Sequence, residues 1–258
     1  MSLRNKISQW FCRGFNKNID DFGIQSALNI LLKHNHIHFR KIIANPDTNR
    51  VLARKASIIV CNHPHQIEPI IILGSTPPRK NVHIVADARY LNLTPALEKH
   101  IIPVYIKHNY TKQNHHGLRV AFIDWLIPQD TFDYQTSHQK NIQNIDRASH
   151  ILSENGLIII CPIKRDNSWS DGIGYLVKGV GQSVKSLNLI MAYVQGGSRF
   201  DIFRLFPFVN LFFPTIKIFF SSPIELIPYQ KSQPKEIKLI IETKYNQWVK
   251  KLNLNHNL

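Results

Sequence analysis

The sequence predicts an α/β fold built as one domain, and three observations carry that prediction. Short apolar runs rich in β-branched residues, at 57–61, 82–86, 101–106 and 157–161, alternate with segments of helical periodicity. Each of these runs empties into a polar loop, the arrangement that places a site at the ends of the strands. A chain of 258 residues that is 43% hydrophobic and 19% charged is globular and long enough for one substantial core.

Taken in order, residues 3 to 33 read as helical. Ile7, Trp10, Phe11 and Phe15 recur on one face opposite Arg4, Lys6, Arg13 and Lys17, and Ile24, Leu28, Leu31 and Leu32 repeat the pattern. This composition suits a basic helix lying in a membrane interface, and equally a helix packed on the domain. His34, His36 and His38 alternate; on a strand they would share one face and could hold a metal, although no carboxylate or cysteine lies nearby to complete a set. The run at 57–61 is followed by a polar turn, and Pro69 suits the first helical position of the next helix. Residues 74–80, with Pro77 and Pro78, form a loop before the strand at 82–86, and 89–97 is a short helix or turn. Residues 108–140 are rich in Asn, His, Gln and Thr around an apolar patch at 120–127 and read as a surface insertion. Ile142, Ile145, Ala148, Ile151 and Leu152 mark a helix over 141–154 that Asn155-Gly156 ends. Residues 205–220 are apolar but interrupted by Pro207, Pro214 and Lys217; the segment either dips into a membrane or forms buried strand, and buried strand is favoured. An amphipathic basic helix over 235–251 closes the chain.

The formal net charge of +15 predicts a surface that seeks anions, whether acidic lipid, phosphorylated substrate or nucleic acid. No nucleic-acid recognition motif or interleaved basic and aromatic stretch is present, so nucleic acid is not expected as a partner. Cys12, Cys61 and Cys161 have neither metal-site nor disulfide-framework spacing, which points to a reducing compartment. Cys61 and Cys161 each end a strand-like run and read as core residues. No secretory signal pattern and no apolar run of about 18 residues is present, so peripheral attachment is expected if a membrane is involved.

The chemistry concentrates after the run at 57–61. His63 would stand on a loop at a strand end, and Glu68 near the cap of the following helix. Across that turn the carboxylate can hold one imidazole nitrogen while the other faces a cleft, the minimum apparatus for taking a proton from an alcohol.

Asn62-His63 with an acid at position 68 resembles the NHxxxxD signature of the PlsC-like glycerolipid (lysophospholipid) acyltransferases, the 1-acylglycerol-3-phosphate acyltransferase family. Further blocks follow in the family's order. Residues 101–107 are similar to its apolar strand closing on a basic residue, 156–167 stand where it has an FPEGTRS block, 172–181 resemble its Lys-Gly segment, and 189–196 its closing strand and glycine turn. The resemblance covers roughly residues 55 to 225. It departs in two places: Glu68 replaces the usual Asp, and Ile163 and Lys164 replace the glutamate and glycine of FPEG.

The resemblance implies a single acyltransferase-like domain over 41–258, with a central mixed sheet flanked by helices; the amphipathic pattern before it reads as a membrane-associating helical appendage over 1–40. It implies acyl transfer without a covalent enzyme intermediate, His63 acting as general base oriented by Glu68. Asn62, Lys107, Lys164 and Arg165 would bind the substrate, the cations holding an acceptor phosphate, while backbone donors stabilise the oxyanion. Because the thioester of acyl-CoA or acyl carrier protein is already activated, no metal or cofactor is required. The expected setting is the cytoplasmic face of a membrane, bound peripherally through anionic lipid. Ile163 also leaves open a degenerate relative that binds lipid without turning it over.

Overall fold

Where the chain is continuous and apolar on both sides of a strand, it lies at the centre of a parallel sheet. The computed structural model describes residues 3–63, 68–91, 94–106, 133–163, 168–180, 184–198, 204 and 213–256. Two helices, α1 (Leu3–Phe22) and α2 (Ile24–His34), precede β1 (Phe39–Ile43) and α3 (Asp47–Arg54). The next elements are β2 (Ser57–Cys61), α4 (Glu68–Ser75), β3 (Val82–Asp87), α5 (Pro95–Glu98) and β4 (Ile101–Val104). Then come α6 (Tyr134–Ser153), β5 (Leu157–Ile160), α7 (Gly172–Gly179), β6 (Asn188–Gln195), β7 (Ile216–Phe220), β8 (Ile224–Glu225) and α8 (Pro234–His256).

Among the described residues the strands form one eight-stranded mixed sheet of order β1-β7-β6-β2-β5-β3-β4, with β8 also on β6. From β6 to β4 the neighbours run parallel, whereas β7 lies antiparallel to β6 and carries β1 parallel to itself. The predicted α/β class, a mixed central sheet flanked by helices, is the observed one.

The two faces bury separate cores. Ile59 and Cys61 of β2 point to a core completed by Ile19 of α1, Ile24, Ala27, Leu28 and Leu32 of α2, and Ile71 and Ile72 of α4. Ile58 and Val60 point the other way, toward Ile151 and Leu152 of α6, Ile173 and Val177 of α7, and Ile237, Ile241 and Tyr245 of α8. All five residues of β2 are therefore buried, which accounts for the unbroken apolar run in the sequence. The apolar stripe of α2 is turned into the domain, and Phe15 of α1 packs against the same core. The side chains of Ile7, Trp10 and Phe11 lie outside the described residues.

Several elements differ from expectation. The alternating histidines do not share a strand: His34 ends α2, His36 has a left-handed backbone (φ 53°), and β1 begins after His38. The helix expected over 141–154 starts at Tyr134, because Asp133 caps it by accepting from the Thr136 N–H at 2.8 Å. Its other end is a Schellman closure in which Gly156 N–H donates to Ile151 O and Asn155, at φ 57°, to Leu152 O. Of the insertion expected over 108–140, residues 108–132 lie outside the described ones, and 134–140 form the start of α6. The apolar stretch at 205–220 ends as expected in buried strand, β7, which fills the place between β1 and β6; residues 205–212 lie outside the described ones. Among the described residues, no helix is long and apolar enough to cross a membrane.

Candidate functional site

The apolar run of β2 stops at Cys61 and α4 starts at Glu68, with Pro69 in its first turn. His63 Nδ1 lies 3.2 Å from Glu68 Oε2. The Glu68 side chain is 1% exposed and that of His63 is 32% exposed, so the carboxylate is sealed in while part of the ring reaches solvent. An ionised carboxylate only accepts, so Nδ1 carries the hydrogen and donates it, which leaves the Nε2 lone pair as the basic position. Stripping a carboxylate of water is costly unless it keeps partners, and the imidazole supplies one of them.

Asn62 is held more tightly than its neighbour. Its Nδ2 donates to Val194 O at 2.9 Å, and its Oδ1 accepts from Val194 N–H at 2.8 Å. The side chain thus extends the β2–β6 ladder by one step past Cys61 and fixes the backbone from which His63 projects. Both polar ends of Asn62 are engaged with β6. Lys107, Lys164 and Arg165 lie outside the described residues, so of the expected site only Asn62, His63 and Glu68 are brought together here.

Three supports, Tyr245, Trp169 and Arg204, were not legible in the sequence. Tyr245 of α8 sends its hydroxyl 3.1 Å from Ala192 O, beside the β2–β6 seam. Burial holds its pKa well above the usual phenol value; the nearby Cys61 and Cys161 thiols and Tyr193 push the same way, against a hydrogen bond with the Asn62 backbone. Trp169 packs edge-on to the Tyr245 ring, with centroids 5.4 Å apart. Directly after β6, at the glycine turn the sequence suggested, Gly196 has φ 87° and a Cβ there would stand 2.8 Å from Thr215 O. The buried Arg204 donates from Nη2 to Gly196 O at 3.0 Å and Pro214 O at 3.1 Å, tying the two ends of the β6–β7 connection. No periodicity announces a buried arginine or a tyrosine hydroxyl aimed at a strand 53 residues away.

The fold also joins the two strand-end cysteines. Cys61 Sγ and Cys161 Sγ are 2.8 Å apart, on β2 and immediately after β5. Ile163, which stands where the resembled motif has glutamate, forms an isolated antiparallel bridge with Trp169 and packs on the core beneath α7 and α8.

No protein-family model matches the chain, and no curated protein matches it. Among solved structures the chain is similar to the 1-acyl-sn-glycerophosphate (LPA) acyltransferase PlsC of Thermotoga maritima, with 14% identity and a TM-score of 0.43, over 98% of this chain and 84% of that one.

Proposed function

We propose that the protein is an O-acyltransferase that moves a fatty acyl group from a thioester, acyl-CoA or acyl carrier protein, to the hydroxyl of a lysophospholipid such as lysophosphatidic acid. The observation that carries the reading is the His63–Glu68 pair, a half-exposed imidazole held by a sealed carboxylate at a strand end. The motif order in the sequence supports it.

Nε2 of His63 takes the proton of the acceptor hydroxyl as its oxygen attacks the thioester carbonyl. The tetrahedral intermediate collapses with loss of the thiolate, which recovers the proton from the imidazolium, so the enzyme ends as it began. Glu68 keeps the ring oriented and stabilises its transient positive charge. Lys107, Lys164 and Arg165 would engage the acceptor phosphate, and backbone N–H groups near the strand ends the oxyanion. Asn62 serves this reading through the position it gives His63. The net charge of +15 suits work at an anionic lipid surface, peripherally attached at the cytoplasmic face.

A second reading has its own observation. The core-packed Ile163 places an apolar side chain where the motif has a carboxylate, which favours a relative that binds lipid without acyl transfer. Purified protein incubated with radiolabelled acyl-CoA or acyl carrier protein and a panel of lysophospholipids separates the two. The proposal expects a diacyl product from the wild type and none above background from His63→Ala. Vesicle binding without product from either would leave the lipid-binding reading.

A further inference from the structure

We propose that Cys61 and Cys161 are a redox-active dithiol that closes to a disulfide between the ends of β2 and β5, beside the candidate site. The two sulfurs already stand 2.8 Å apart, against about 2 Å for a bonded pair. The strands explain the meeting. β2 and β5 are parallel neighbours in the register Val60↔Ile160, so the next residues on each strand are Cys61 and Cys161, side by side and on the same face. Neighbouring strands run about 5 Å apart, inside the roughly 4.4–6.8 Å Cα window of disulfides. Closure therefore asks for side-chain rotation and no rearrangement of the sheet.

The environment divides the work between the two thiols. Cys161 is partly exposed and is the one an oxidant can reach, whereas Cys61 is fully buried. Burial raises the Cys61 pKa well above the ordinary thiol value, and the Cys161 thiol and Glu68 carboxylate push in the same direction. Cys61 is thus a poor first nucleophile and a well-placed resolving thiol. With hydrogen peroxide as oxidant, Cys161 sulfur attacks one peroxide oxygen, the O–O bond breaks, and a sulfenic acid and water form. Cys61 sulfur then attacks Cys161 sulfur; the S–O bond breaks, hydroxide leaves and takes the Cys61 proton as water. Two thiols are oxidised by two electrons, and one hydrogen peroxide is reduced to two waters.

The bond would join positions 100 residues apart in sequence, and a long closed loop restricts the unfolded chain strongly. It would also fix the strand end that carries Asn62 and His63 to the one that carries Pro162 and Ile163. The bond rests on strand register alone, and only its bearing on catalysis rests on the acyltransferase reading.

The test uses the full chain, treated with hydrogen peroxide or left reduced, then alkylated and digested without reductant. The expected result is a peptide pair linked through Cys61 and Cys161, lighter by two hydrogens than the separate peptides and released by dithiothreitol. A higher thermal unfolding midpoint in the oxidised form should accompany it, with both changes absent in Cys161→Ser. Should Cys161→Ser fold poorly, alkylation of the reduced wild type serves instead, with Cys161 labelled faster than Cys61. Recovery of both thiols alkylated after peroxide, or of Cys161 over-oxidised beside a free Cys61, would overturn the proposal. A linked peptide from protein that shows no acyl transfer in either redox state would uphold the bond and remove the acyltransferase reading.

Discussion

In the proposed reaction His63 and Glu68 work as one unit, and substitution of the carboxylate tests it. Glu68→Gln keeps the size of the side chain but can present an amide N–H to Nδ1, which favours the wrong tautomer. A fall in kcat of roughly 10²- to 10⁴-fold with KM little changed is expected, measured by steady-state acyl transfer. His83 offers a separate prediction about stability. Its Nε2 meets Asn81 Oδ1 at 3.1 Å while its Nδ1 is buried without a hydrogen-bond partner. Burial lowers its pKa from 6.5 to about 4, with charge on His100 and Arg147 acting in the same direction. The folded protein thus keeps His83 neutral where the unfolded chain binds a proton, so stability falls as the pH drops from about 6.5 toward about 4. In urea titrations across that window, His83→Gln should lose stability less steeply than the wild type. The His63–Glu68 pair could be read from the sequence because its members are five residues apart across one turn. Asn62 with Val194, 132 residues apart, and Cys61 with Cys161 could not, since sheet register alone brings them together.

The elements that position the site depend on close contacts between helices under the sheet. Gly174 of α7 faces the backbone of Pro234, the first residue of α8, and an added Cβ would collide with it. Gly174→Ala should therefore cost about 2 kcal/mol by overpacking, seen in denaturant unfolding, because backbone cannot yield as a flexible side chain does. The central strands were legible as continuous apolar runs because they are buried on both faces. β1 was not, since Arg40 and Lys41 break its pattern, as suits a strand at the sheet edge. α3 and the first turns of α6 were missed for a related reason. Both segments are mainly polar, so capping and tertiary contact set their helicity where apolar periodicity does not.

At the scale of the molecule, two helical layers enclose a mixed sheet, and the end of β2 carries His63 beside Glu68. With a net charge of +15, the protein should co-sediment with anionic phospholipid vesicles more than with neutral ones. Raising the salt from about 0.1 M to about 1 M should weaken that binding, as screening shortens the reach of surface charge. In the proposed reaction, such binding would bring a lysophospholipid hydroxyl to His63. The most direct measurement follows free thiol released from acyl-CoA together with ester formed on lysophosphatidic acid, in wild type and His63→Ala. The account predicts release that requires the lysolipid, equals the ester formed, and is lost in the variant. Thiol release that proceeds without acceptor, or ester formation at the wild-type rate in His63→Ala, would contradict it.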